Sequence, residues 1–153
     1  MNAFLDAVGR TPLSQILQNV RWLIPLIQSV HIFTLAVVFT SAAIIDLRLL
    51  GVVGRGQSLG RMSERFLPTV GWGLLVLLLT GLLLMIAEPR RALLNPFFQL
   101  KMAALVVVGA FTTATADAAA REREPLFAKP LATASIALWL AIIALGRWIA
   151  YGP

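Results

Sequence analysis

The amino-acid sequence predicts an all-α integral membrane protein, a single-domain, four-helix, up-and-down bundle preceded by a short interfacial helix. Three observations carry that reading. Hydrophobic residues make up 59% of the 153 and charged residues 13%, with a mean hydropathy of +0.85, whereas a soluble domain carries about 25% charged residues. Four stretches are each long and apolar enough to cross a hydrocarbon layer of roughly 30 Å, which takes about 20 residues. The loops between them are short and hold most of the basic residues, the pattern that orients a membrane chain.

The elements follow in order. The first 20 residues hold Asp6, Arg10, Gln15, Gln18 and Asn19 and lack the continuous apolar run of a signal peptide. The segment 11–22 is expected to lie along the membrane surface, with Leu13, Ile16, Leu17 and Val20 toward lipid. Spans are expected at 23–45, 67–87, 97–118 and 131–151. Pro25, Pro68, Pro89, Pro96, Pro125 and Pro130 all fall at or near a proposed end, where a missing N–H costs least. Asn95-Pro96 reads as an N-cap followed by proline at the first helical position of the third span. Short connections make sequential helices antiparallel neighbours. Lipid gives no hydrophobic drive for helix association, so small residues are expected at the contacts: Gly73 and Gly81 on the second span, Ala110, Ala114 and Ala118 on the third, Ala137 and Ala141 on the fourth.

Orientation comes from Lys and Arg. The two loops after the first and third spans hold Arg48, Arg55, Arg61, Arg65, Arg121, Arg123 and Lys129; the opposite side holds Arg10, Arg21, Arg90 and Arg91. The positive-inside rule then puts both long loops in the cytoplasm and both termini on the periplasmic side. The net charge of +6 and pI near 11.4 reflect these loops, which meet anionic headgroups. With no basic stripe interleaved with aromatics, nucleic acid is not an expected partner.

Several chemistries are excluded. Cysteine is absent, which removes disulfides, thiolate metal sites, iron–sulfur clusters and cysteine nucleophiles. There is no serine–histidine–acid set at a workable depth, and Gly51 to Gly60 lacks the lysine and hydroxyl residue of a phosphate-binding loop. Hydrolysis and phosphoryl transfer are therefore not expected.

His31 is the single histidine, and an ionisable residue inside a span is a functional candidate because burying it in lipid is costly. Gln28, His31 and Thr34 share a helix face. Gln99 and Lys101 open the third span and Arg147 nearly closes the fourth, so all three are expected at the depth of His31. Together with it, Lys101 and Arg147 form an electropositive pocket suited to an anionic group: haem propionates, a quinone oxygen or a lipid phosphate. Met102 is a possible second axial or metal ligand beside His31, with Met85 further toward the outer end. The competing reading makes His31 an interhelical hydrogen bond and lets Lys101 and Arg147 reach separately to the headgroups. Asp46, two residues before Arg48, reads as a local clamp to Arg61 or Arg65 across the loop, with a proton-relay role as the alternative, and Asp117 near Arg121 reads the same way.

The runs HIFTLAVVFTSAAIIDLRLLG (His31 to Gly51), LTGLLL (Leu79 to Leu84), NPFFQLK (Asn95 to Lys101) and GRWIAY (Gly146 to Tyr151) resemble a bacterial family of small four-helix inner-membrane proteins of unknown function. More distantly, NPFFQLK is similar to the copper-resistance D membrane family. The resemblance implies a multi-pass protein of the bacterial inner membrane and assigns no activity. The function expected from the residues is that of a cofactor-holding subunit or accessory in electron transfer. Haem b or quinone would be bound by His31, Gln28, Lys101 and Arg147, in a homodimer or larger membrane complex. The alternatives are a non-enzymatic scaffold or assembly subunit and, behind it, transport of copper or another small solute.

Overall fold

A computed structural model describes residues 2–54, 56, 58–120 and 125–151, with side chains for 4–54, 56, 58–90, 92–115 and 129–148. Seven helices follow one another among these residues: α1 (Asn2–Gly9), α2 (Pro12–Asn19), α3 (Leu23–Leu49), α4 (Leu59–Ala87), α5 (Pro89–Leu93), α6 (Pro96–Ala120) and α7 (Pro125–Tyr151). The four long ones are the expected spans. Their most apolar windows reach mean hydropathies of 2.0, 2.5, 1.6 and 1.6, and no more than 28% of any window is buried inside the protein. Ile32, Phe33, Trp72 and Val106 are among many large side chains pointing outward. Water does not tolerate a contiguous apolar surface of that extent; hydrocarbon does, and a helix satisfies its own backbone groups there.

α3 packs chiefly on α4, and α6 on α7; the two hairpins meet mainly through α3 and α7. The core is built from Val38, Ala42, Val70, Leu77, Ala104, Val108, Trp139 and Ile142. Phe39 and Trp139 meet ring to ring at 6.5 Å. α3 and α4 approach closely at Gly73, since a Cβ there would collide with Val38 Cγ2. The alanine stripes do not behave as expected. Ala110, Ala114, Ala137 and Ala141 are exposed, and the side chain of Ala118 lies outside the described residues. The inward faces are instead Ala104, Val108, Thr112 and Thr115 on α6 and Ala132, Ser135, Trp139 and Ile142 on α7, each spaced by three or four as one helix face requires.

Helix ends follow from local chemistry. Asn95 Oδ1 accepts from the Phe97 N–H at 2.9 Å, the expected cap of α6. α3 stops because Gly51 has φ +75°. Its N–H donates to Arg48 O at 3.0 Å, and the Val52 N–H donates to Leu47 O at 2.9 Å, the paired bonds of a Schellman turn. Two prolines fall inside helices rather than at their ends: Pro68 in α4 and Pro130 in α7. Both helices begin well before their apolar runs. The carbonyl of Glu64, which Pro68 leaves without its helical donor, sits in a polar, exposed stretch with Arg61 and Arg65.

The end of the bundle where α3 starts is capped by α1, α2 and α5. α2 is not simply a lipid-facing helix: Leu17 and Ser14 are buried against the bundle, while Leu13 and Ile16 are exposed. Thr11 caps it, accepting from the Ser14 N–H at 3.3 Å. Ser14 Oγ donates to Ile86 O at 2.8 Å and Gln18 Nε2 to Ala87 O at 2.8 Å, serving carbonyls at the C-terminus of α4 that its own turns leave without donors. Arg90 donates through Nε to Asp6 Oδ1 at 2.9 Å, joining α5 to α1. An open cleft of about 740 Å³ lies between these caps and the end of α4.

Candidate functional site

His31 lies eight residues into α3, about 12 Å along it at 1.5 Å per residue. It is half-buried and turned toward α4, where its Nδ1 lies 2.7 Å from Thr80 Oγ1. The roles in that bond follow from counting protons. A threonine hydroxyl has one, and Thr80 gives it to its own helix, at 2.7 Å from Val76 O with a longer 3.3 Å approach to Leu77 O. With that proton on Val76 O, Thr80 Oγ1 accepts from His31, the imidazole carries its own proton on Nδ1, and Nε2 keeps a lone pair. Fixing the tautomer through the other ring nitrogen is how proteins prepare a histidine to bind through its free one.

Each of the other long helices adds a part. Gly81, next to Thr80, admits the ring: a Cβ at that position would sit 3.6 Å from His31 Cε1. Lys101, half-buried on α6, runs its stem to the backbone of α7 at Gly146, where a Cβ would lie 3.6 Å from Nζ. Among the described residues Lys101 is the charged side chain whose field His31 feels. The site thus joins α3 through His31, α4 through Thr80 and Gly81, α6 through Lys101 and α7 through Gly146.

The remaining sequence candidates are arranged around it. Gln28, one turn before His31, is exposed, and Thr34 is half-buried. Arg147 is exposed beside Gly146. Met102, 44% exposed, follows Lys101 and so points about 100° away around α6. Gln99 donates from Nε2 to Leu93 O at 3.0 Å, tying α6 to α5. Among the described residues no three His, Cys, Asp or Glu side chains converge as a metal cluster would require. Sequence reasoning missed Thr80. Its polar side chain inside an apolar run was the available signal, and the register that pairs it with His31 was not.

Asp46 is not a loop clamp. It is 1% exposed and faces the hydroxyls of Thr115 on α6 and Ser135 on α7, while Arg61 and Arg65 are exposed. Arg65 lies over the Phe66 ring, 5.7 Å from its centroid. Helix residues two apart do not share a face, so the arginine two positions on could not mark the direction of Asp46. The side chains of Asp117 and Arg121 lie outside the described residues.

No curated protein and no solved structure matches the chain. A family model does match, over residues 15–152, and the chain belongs to that family of unknown function, DUF6644.

Proposed function

We propose that this protein is a quinone-holding accessory subunit of a membrane electron-transfer assembly, with His31 and Lys101 gripping the head group. The observation that carries the reading is the place of Thr80 Oγ1, 2.7 Å from His31 Nδ1 and 2.7 Å from Val76 O of its own helix. With the Thr80 proton on Val76 O, His31 Nε2 is left as an acceptor for a quinol hydroxyl, and the Lys101 ammonium on α6 serves as a donor to a head-group oxygen that becomes negative. A quinone reaches such a site sideways from the bilayer, which suits a half-buried histidine flanked by the exposed apolar residues Ile32 and Phe33. Haem b or copper held by His31 and Met102 within one chain is favoured less, because Lys101 and Met102 diverge around α6. Arg147 and Gln28 then sit at the rim, as contacts for the cofactor's polar edge or for neighbouring headgroups. On the positive-inside reading, this half of the bundle faces the periplasm.

The second reading, a scaffold, has its own support: the bond from His31 to Thr80 joins α3 to α4 and needs no ligand to be useful. One experiment separates the two. The detergent-purified protein is titrated with a short-chain benzoquinone, following tryptophan fluorescence, and its extracted lipid is searched for isoprenoid quinone. Saturable quenching that weakens by about tenfold or more in His31→Ala and Lys101→Met supports the site, tenfold being the worth of one hydrogen bond of about 1.4 kcal/mol. Quenching that is the same in all three proteins, with thermal stability lost in His31→Ala, supports the scaffold. A Soret band that depends on His31 would replace quinone with haem.

A further inference from the structure

The other half of the bundle holds a second polar cluster. Fifteen residues on from His31, and so about 22 Å along the same helix, Asp46 is sealed between α3, α6 and α7. Asp46 is 1% exposed, Thr115 1% and Ser135 0%, and both hydroxyls face the carboxyl group. Bonding among them is incomplete: Asp46 Oδ2 and Ser135 Oγ are both buried without a hydrogen-bond partner, as is Trp139 Nε1 one turn along α7. Thr115 is already committed, its single proton going to Thr112 O at 3.0 Å.

Among the described residues, charge around the cluster is sparse. On α3 the nearest charged residue in sequence is Arg48, half-buried at the last turn. On α4, Arg61, Glu64 and Arg65 are exposed, as is Lys129 at the start of α7. The described side chains of α6 bring only hydroxyls, Thr112 and Thr115, to this level. No ion pair reaches Asp46 among the described residues. Among the described residues Asp46 has given up water without gaining a counter-charge, and a carboxyl group so placed is costly to hold ionised.

We propose that Asp46, with Thr115 and Ser135, forms a proton-binding site inside the bundle, loaded from the end where α3 stops at Gly51. The carboxylate takes a proton from hydronium and releases water; the resulting acid donates to Thr115 Oγ1, whose own proton stays on Thr112 O. When Asp46 gives the proton back, Thr115 turns its hydroxyl from Thr112 O to the carboxylate. Thr115 thereby serves as a rotor that matches either state. Exchange is confined to the near end, since Asp46 lies three residues from the end of α3 while Val38, Ala42, Trp139 and Ile142 close the bundle on its far side.

The test is infrared spectroscopy of the full-length protein in lipid, with aspartate carrying a carbon-13 label in its carboxyl. The sequence has three aspartates, Asp6, Asp46 and Asp117. A protonated carboxylic C=O band is expected at neutral pH, shifting in heavy water, disappearing as the pH is raised, and missing from Asp46→Asn. Should that variant fail to fold, Thr115→Val decides: the band should move to higher frequency as the acid loses its acceptor. The proposal is overturned if aspartate gives only carboxylate bands at neutral pH, or if the band survives Asp46→Asn. It is overturned equally by a band that Thr115→Val leaves unmoved. Stabilisation by sodium but not by choline, without a C=O band, would also overturn it and make the site one for a small cation.

Discussion

Gly73→Ala measures how tightly α3 and α4 are joined. The new methyl would overlap Val38 Cγ2, and Val38 is completely buried in the core, so neither side can swing into lipid. Overpacking of this kind costs about 1–3 kcal/mol. A glycine-to-alanine change also strengthens a helix, by about 0.8–1 kcal/mol, which would mask part of the loss. Gly71 supplies the control: it lies in the same helix, two residues away, and a Cβ there meets nothing within 4 Å. Gly73→Ala is therefore expected to be about 1–3 kcal/mol less stable than Gly71→Ala in reversible unfolding from mixed micelles. Adding Val38→Ala makes room for the methyl, so the double variant should lose less than the sum of the single changes. Equal stability of Gly71→Ala and Gly73→Ala, or strict additivity with Val38→Ala, would refute the close contact.

Three further outcomes are expected in the same assay. Asn95→Ala removes the cap on α6 and should cost about 1 kcal/mol, whereas Asn95→Asp should cost little. Gln18→Leu leaves the Ala87 carbonyl without its side-chain donor and should cost about 1–3 kcal/mol, with faster hydrogen exchange confined to the last turn of α4. Asp6→Ala breaks an ion pair whose partners are 57% and 44% exposed, and should change stability by less than about 1 kcal/mol; a larger loss would mean that α1 and α5 are fastened more firmly than the exposed pair explains.

Much of the fold was legible because lipid imposes a coarse rule: long apolar runs become helices whatever their finer pattern. The start of α6 could be read to the residue, since Asn95 and Pro96 act locally. Pro68 and Pro130 could not be placed as well, because hydropathy marks where lipid begins and not where a helix does. α1 and α5 escaped notice, and α2 was assigned to the surface, because bonds such as Ser14 to Ile86, 72 residues apart, leave no local trace. Alanines recurring every four residues are a true face of α6, but spacing alone does not say whether it turns toward a neighbour or toward lipid. His31 was visible as the one imidazole in a greasy run. Its partner Thr80 was not, because the register of α3 on α4 depends on tertiary fits such as that of Gly73 to Val38, which leave no local trace. Asp46 was misjudged for a related reason: its place at the membrane edge suggested a clamp to Arg61 or Arg65 across the loop, and nothing local in the sequence shows that the carboxyl turns inward toward Thr115 and Ser135.

The single histidine makes the central claim directly measurable. Nitrogen-15 labelling of histidine gives one imidazole in the spectrum, and its two nitrogens distinguish protonated from bare by chemical shift. The expected result is a proton on Nδ1 and a lone pair on Nε2, with the Nε2 signal moving when a short-chain benzoquinol is added and the tautomer preference weakening in Thr80→Val. A proton found on Nε2 instead would contradict the arrangement on which the quinone site rests.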